Sequence, residues 1–460
     1  MTAMNKQSPA NGPSYQDYLD RETVPVPEHL RVTDSPDLGS MRLDPTRYTS
    51  REMHDLEVKH VWSKTWQFAC REEDIPDVGD YTLYDVGDLS LIVVRTSETE
   101  IKALFNSCLH RGRKLVTEDG CSEKFRCPYH AWTWNNNGSI AFVPCKSDFE
   151  YAGEEAFQLP EALVDTWQGF VFVNPDTNAM PLLEYLEVLP EHFKNYELGD
   201  CYKVLHVEKV VECNWKAAQE AFMESYHVIA THPNILNFMG DCNAQYDIFG
   251  DHTSRAITAN AVHSPHIKPL SEQQVMEETL KGSGRVLLDG ELKVPEGMTA
   301  RAFLASMNRE QFSKDYDRDF SEVTDAELLD AILYLSFPNT QIWGGFLGNI
   351  VYRSRPHRHN PDECIYEVMV LQRLPKGAEK PRGVKPTRLN IDQCFSDAEE
   401  LGVLGGVFDE DMNNLPHMQQ GMKVAAINGR DGLILGDYQE ARIKHLHNSI
   451  DKYIEAGEKA

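Results

Sequence analysis

The sequence predicts an α+β protein in two parts. A small antiparallel β-domain with a flanking helix is expected over residues 46–178, and a larger domain with helices wrapped around an antiparallel sheet over residues 179–460. Three observations carry this reading. The chain has 460 residues, more than one hydrophobic core usually organises. From Gly79 to about residue 174 it reads as short β-rich segments separated by glycine and turn residues. Beyond that, strand-like and helix-like periods mix and close on an amphipathic helix.

In order, residues 1–45 are rich in Pro, Ser and Asp with little periodicity, and read as an arm, disordered or laid across the surface. Met53, Leu56, His60 and Val61 then fall near one helical face, with Trp62 and Trp66 four residues apart. Strands are expected at 81–84, 89–96 (LSLIVVRT), 101–105, 132–134, 140–143 and 169–173 (GFVFV). In the second part, 204–211 reads as a strand, 215–230 as a helix, and 325–335 as another helix with Thr324 and Glu327 in capping-box spacing. Segments 342–352 and 364–371 are β-like. The last helix places Ile443, Leu446, Ile450, Tyr453 and Ile454 on one stripe. The pattern of residues 265–320 determines little.

Composition narrows the function classes. With 41% hydrophobic and 25% charged residues the chain is of ordinary globular type, and a formal charge of −27 argues against nucleic acid or an anionic membrane as the main partner. No apolar run approaches the roughly 18–20 residues of a membrane span. Ten Cys in a chain this long are no disulfide framework, and the first residues lack the apolar core of a signal peptide, so a reducing cytoplasm is expected.

One stretch points to metal. Cys108-Leu109-His110 is followed, sixteen residues on, by Cys127-Pro128-Tyr129-His130, two half-sites that each offer one thiolate and one imidazole. Zinc fingers usually pair their Cys two to four residues apart and place both His in the other half. A Rieske [2Fe–2S] centre needs two Cys on one iron and two His on the other, which Cys108 with Cys127 and His110 with His130 would supply. Gly112, Gly120 and Gly138 permit tight turns around these loops.

A cluster of this kind moves single electrons, so a second centre should use them. In Asn214-Trp215-Lys216 through Glu220, Glu224 and His227 to His232, the two His are five apart, about 140° around an ideal helix. Pro233 supports a helix that ends or distorts between them. Two His and a carboxylate is the usual set for O₂-activating mononuclear iron. Taken alone, such a pair is more often structural than a metal site.

The runs CLHRGRKL…FRCPYHAWTW and NWKxxxExFxExYHxxxxH resemble the Rieske non-haem iron aromatic ring-hydroxylating oxygenases, specifically their α (large, catalytic) subunit, over roughly residues 45–455. Ala131, where the family usually has Gly, and Ala221, where many members have Asn, are departures. The resemblance implies a [2Fe–2S] cluster on Cys108, His110, Cys127 and His130, and Fe(II) on His227 and His232. The third ligand would come from VFDEDM, where register favours Asp411 over Asp409, with Glu410 as a polar neighbour. Glu224 would link His227 to His130 of a neighbouring subunit. It further implies a homotrimer, with or without a β subunit, fed from NAD(P)H by a separate flavin reductase and in some systems a ferredoxin. The implied reaction is O₂-dependent hydroxylation, foremost dihydroxylation, of a small apolar and most often aromatic substrate. Monooxygenation or oxidative demethylation of a steroid-like or amphipathic molecule is the alternative. An electron carrier without oxygenase activity is the reading from a different class. Phe222, Met223, Phe238 and Met239 are candidates for a substrate pocket, though such residues are more often core.

Overall fold

The computed structural model describes residues 12–33, 35–284, 292–375, 377–428 and 431–459. The first eleven residues of the expected arm therefore lie outside the described residues. From Gly12 onward the arm is anchored. Helix α1 (Tyr15–Leu19) opens with a capping box on Ser14 and Asp17, and buries Tyr15, Tyr18 and Leu19. The Tyr15 hydroxyl donates to Asp330, 2.8 Å away, and Thr33 donates to Asp247. Leu30 and Leu43 are also buried, so the arm is strapped to the larger domain by a few apolar side chains among its polar ones.

The first part is a seven-stranded antiparallel sheet and a three-stranded one. After α2 (Arg51–Glu57) and a wide turn to Trp62 come β1 (Gln67–Arg71), β2 (Asp80–Val86), β3 (Leu89–Arg95), β4 (Ile101–Phe105) and the short β5 (Gly120–Cys121). With β9 (Glu161–Trp167) and β10 (Phe170–Asn174) they run in the order β1-β10-β9-β4-β3-β2-β5. The three-stranded sheet is β6 (Lys124–Arg126), β7 (Thr133–Asn135) and β8 (Ile140–Phe142). Between the two lies a core of its own, including Ile92, Val94, Leu104, Phe125, Trp132, Trp134 and Phe157.

The second part is built on eight strands. β11 (Cys201–Val211) leads to helices α3 (Trp215–Glu220) and α4 (Val228–Thr231), then β12 (Gln245–Phe249) and β13 (Thr253–Thr258). Helices α5 (Glu272–Gly282), α6 (Ala300–Tyr316) and α7 (Asp325–Leu329) come next, filling the region whose pattern determined little. Then come β14 (Ala331–Ser336), β15 (Thr340–Gly344), β16 (Asn349–His357), β17 (Asn360–Arg373) and β18 (Thr387–Leu389). The order is β12-β13-β14-β15-β16-β17-β11-β18, antiparallel except where β18 meets β11. Helices α8 (Val403–Met412), α9 (Leu415–Ile427) and α10 (Ala441–Lys459) complete it. α10 buries Ile443, Leu446, Ile450 and Ile454 of the expected stripe, with Tyr453 half-buried beside them.

Two expected helices are shorter. The capping box at Thr324 and Glu327 is present, but α7 ends at Leu329 and residues 331–336 pair with β13 and β15 instead. Asp330 ends the helix because its buried carboxylate takes both the Arg301 guanidinium and the Asn260 backbone N–H. The helix expected over 215–230 stops at Glu220 and resumes only at Val228. In the gap the Ser225 N–H donates to the Tyr246 hydroxyl and the Glu224 carboxylate takes the His227 N–H, partners that a continuous helix would not need.

Candidate metal centres

The loops carrying Cys108 and Cys127 repeat one backbone design. In each, the Cys carbonyl accepts from the N–H four residues on, Gly112 at 2.8 Å and Ala131 at 3.0 Å. The Cys N–H donates to the carbonyl five residues on, Arg113 at 2.9 Å and Trp132 at 2.8 Å. The fourth position is left-handed in both, with φ of 75° at Gly112 and 62° at Ala131. Glycine adopts that region freely, and alanine pays a steric cost there. The departure noted at Ala131 therefore falls where the second loop most needs glycine.

Both Cys are buried, and their loops bring the two imidazoles together at 4.5 Å between ring centroids, 73° apart in plane. Trp132 stacks on His110 at 5.2 Å and 6°. Burial works against ionising Cys127, but the backbone N–H groups of Tyr129 and His130 outweigh it and lower its pKa. The Nδ1 of His110 is buried with no hydrogen-bond partner. An orphaned imidazole nitrogen beside two buried thiols fits a metal cluster, since a buried polar atom is otherwise matched by the protein.

The second centre gathers around α4 and α8. His227 and His232 flank the single turn of α4, so the chain doubles back between them and their rings stand 5.3 Å apart. Asp411 Oδ1 lies 3.0 Å from His232 Nε2 and 3.6 Å from His227 Nε2. One ligand atom from each of the three lies within 4.8 Å of the others. Each imidazole turns its other nitrogen to a carboxylate: His227 Nδ1 to Glu224 at 2.8 Å, His232 Nδ1 to Glu410 at 2.6 Å. Ligating histidines are commonly held this way, which fixes the tautomer and aims Nε2. Burial alone would lower both imidazole pKa values, yet Glu224 and Asp411 raise that of His227, and Asp411 and Glu410 that of His232.

Three consecutive acids on α8 have three destinations, because successive helical side chains point about 100° apart. Asp411 faces the histidines. Asp409 accepts the backbone N–H of Phe395 at 2.6 Å and of Ser396 at 3.1 Å, and so closes a loop on the far side of the helix. Glu410, read from sequence only as a polar neighbour, orients His232. Its partner is 178 residues away, and no local spacing signals it.

Next to Asp411, one helical turn back, Phe408 joins Phe222, Tyr352 and Tyr366 in a cluster of rings 4.9–6.1 Å apart. Of the other pocket candidates, Met223 is fully buried, with its carbonyl taking Arg442. Phe238 packs against α5 at Gly282.

Comparison with known proteins gives this geometry a family. Residues 65–162 match the Rieske [2Fe–2S] domain, and residues 193–456 the ring hydroxylating α subunit catalytic domain. The chain belongs to the ring-hydroxylating oxygenase α subunits. The cofactors of that family are a Rieske [2Fe–2S] cluster and a mononuclear non-haem iron, and both sets of side chains just described fit them. Among relatives of this α subunit is the benzene 1,2-dioxygenase subunit alpha of Pseudomonas putida, 31% identical over 197 residues, 41% of this chain and 44% of that protein. The large oxygenase component of the naphthalene 1,2-dioxygenase system of Pseudomonas putida is 34% identical over 198 residues, 40% of this chain and 43% of that one. The chain thus aligns with less than half the length of the curated relatives it matches.

Solved structures extend the likeness of fold over about nine-tenths of the chain. A quaternary ammonium Rieske monooxygenase in complex with L-carnitine is 17% identical, with a TM-score of 0.62 over 91% of this chain and 96% of that one. Naphthalene 1,2-dioxygenase from Rhodococcus sp. bound to indole is 21% identical, with a TM-score of 0.58 over 90% and 94%.

Proposed function

We propose that this chain is the terminal oxygenase component of a multi-protein system, in which Cys108, His110, Cys127 and His130 hold the cluster and His227, His232 and Asp411 hold Fe(II). The single observation that carries the reading is the convergence of both His Nε2 atoms on Asp411, with each Nδ1 held by a carboxylate. That is the two-His, one-carboxylate arrangement that leaves coordination positions open. When bound, the iron would supply O₂ activation and the cluster single electrons.

The chain's own residues orient and insulate these groups. Glu224 and Glu410 fix the two imidazoles, and the ring cluster of Phe222, Tyr352, Tyr366 and Phe408 gives a flat apolar molecule a surface to stack on beside Asp411. Glu224 is also our candidate for the bridge between centres. Among the described residues no hydrogen bond or ion pair joins His110 or His130 to His227, His232 or Asp411. Tyr129, beside His130, is 57% exposed, which leaves that edge open to a second copy. We therefore favour a homotrimer in which the cluster of one copy serves the iron of the next. Electrons would come from NAD(P)H through a separate flavin reductase, with or without a ferredoxin, in the cytoplasm. Among the described residues no helix is long and apolar enough to cross a membrane. The division into an arm over 1–45, a Rieske domain over 46–178 and a catalytic domain over 179–460 is part of the proposal.

The substrate we favour is aromatic, and hydroxylation, foremost to a cis-diol, the reaction. O₂ uptake with a surrogate reductase against a panel of aromatic hydrocarbons, aromatic acids and amphipathic amines tests it. Cis-diols from aromatic compounds are expected. Phenols or dealkylated products would favour monooxygenation or demethylation, and no uptake with any compound would favour the electron carrier. Glu224→Gln should keep both metal centres while coupled turnover falls by 100-fold or more; unchanged turnover would remove Glu224 from the path.

A further inference from the structure

A separate set of metal-type donors lies where α2, the β16–β17 hairpin and the β2–β3 turn meet. His54, on α2, is 1% exposed, and neither of its ring nitrogens has a hydrogen-bond partner. A buried polar atom is otherwise matched by the protein, and here two unmatched ones share one ring. His359 faces it from the tip of the β16–β17 hairpin, the rings 6.2 Å apart and 69° to each other. Its Nδ1 is likewise buried and unpartnered, while its Nε2 is 2.5 Å from Asp88 in the β2–β3 turn. One ligand atom each from His54, His359 and Asp55 lies within 4.8 Å of the others.

We infer that His54, His359 and Asp55 form a binding site for a divalent transition-metal ion of the zinc class, distinct from both centres described above. Two imidazoles and a carboxylate suit zinc and its neighbours, whereas calcium and magnesium prefer oxygen ligands. Asp88 stands to His359 as Glu410 stands to His232, a carboxylate on the nitrogen that does not ligate. A zinc–nitrogen bond of about 2.0–2.1 Å requires the three donors to close slightly. Asp55 can move to do this: its side chain is 53% exposed, and its ion pair with Arg51 lies at the surface. The bound ion would tie α2 to the hairpin of the eight-stranded sheet, and through Asp88 to the seven-stranded one, a clip between the two parts of the chain.

Equilibrium dialysis of the iron-loaded protein against Zn²⁺, with bound zinc counted per chain, tests this. About one zinc per chain is expected beyond the iron and sulfide content, with a rise in melting temperature. His359→Ala, at a hairpin tip, should fold, keep its cluster spectrum, lose affinity by tenfold or more and lose the thermal shift. Asp411→Ala should retain the zinc response. No zinc bound, or binding that His359→Ala leaves unchanged, as adventitious surface binding would, overturns the site.

Discussion

Ala131 holds a backbone conformation that its counterpart in the other loop gives to Gly112. Ala131→Gly should therefore stabilise the protein by about 0.5–1 kcal/mol, steric relief outweighing the added freedom of the unfolded chain. Equilibrium unfolding with the cluster intact measures it, and a loss of stability would show that the alanine methyl makes a contact worth more than the strain. The acids of α8 separate by role in the same way. Glu410→Ala leaves His232 Nδ1 without its acceptor and should weaken iron retention about 10–100-fold while the cluster spectrum stays unchanged. Asp409→Ala removes the acceptor for two backbone N–H groups, so it should cost about 1–2 kcal/mol of stability with iron content preserved. Iron loss in the Asp409 variant and not in the Asp411 variant would reverse their assignment. The Cys and His of the two loops were legible from spacing because each half-site lies within four residues. Glu410 was not, because its partner arrives from another element.

At the scale of elements, strands with strong β-branched runs and the closing amphipathic helix were readable, since period alone fixes which face is buried. The misread segments share a cause. Residues 331–335 are apolar enough to continue a helix, but Asp330 must turn out of the helix to meet Arg301, and Ala331–Ser336 then completes the sheet between β13 and β15. Between α3 and α4 a helix-like sequence is interrupted by long-range contacts to Tyr246 and Thr258. That break is what folds His232 back toward His227, so the sequence pattern failed where the site is made.

Across the whole molecule, several histidines sit half-buried or buried without charge. The His29 and His192 rings lie 5.2 Å apart, tilted by 31°, each bonded to a tyrosine hydroxyl, and His206 lies between Lys203 and Glu367. Burial and nearby cations hold His29 and His206 down to about 4 and His192 to about 3. Their folded pKa values lie below the unfolded value near 6.5, so the unfolded chain binds more protons between the two. Their stabilisation is complete above about pH 6.5 and is lost as pH falls toward 4. Urea midpoints at pH 7 and 5 should show a smaller difference in His192→Gln than in the unsubstituted protein; an equal difference would mean that His192 does not carry this linkage.

An oxygenase that joins two metal centres in one chain is told apart from an electron carrier by iron and acid-labile sulfide counted on anaerobically purified protein. The expected result is about three irons to two sulfides per chain, falling to about two to two in Asp411→Ala with the cluster spectrum retained. A ratio of two to two in the unsubstituted protein, or a third iron that survives Asp411→Ala, would contradict it.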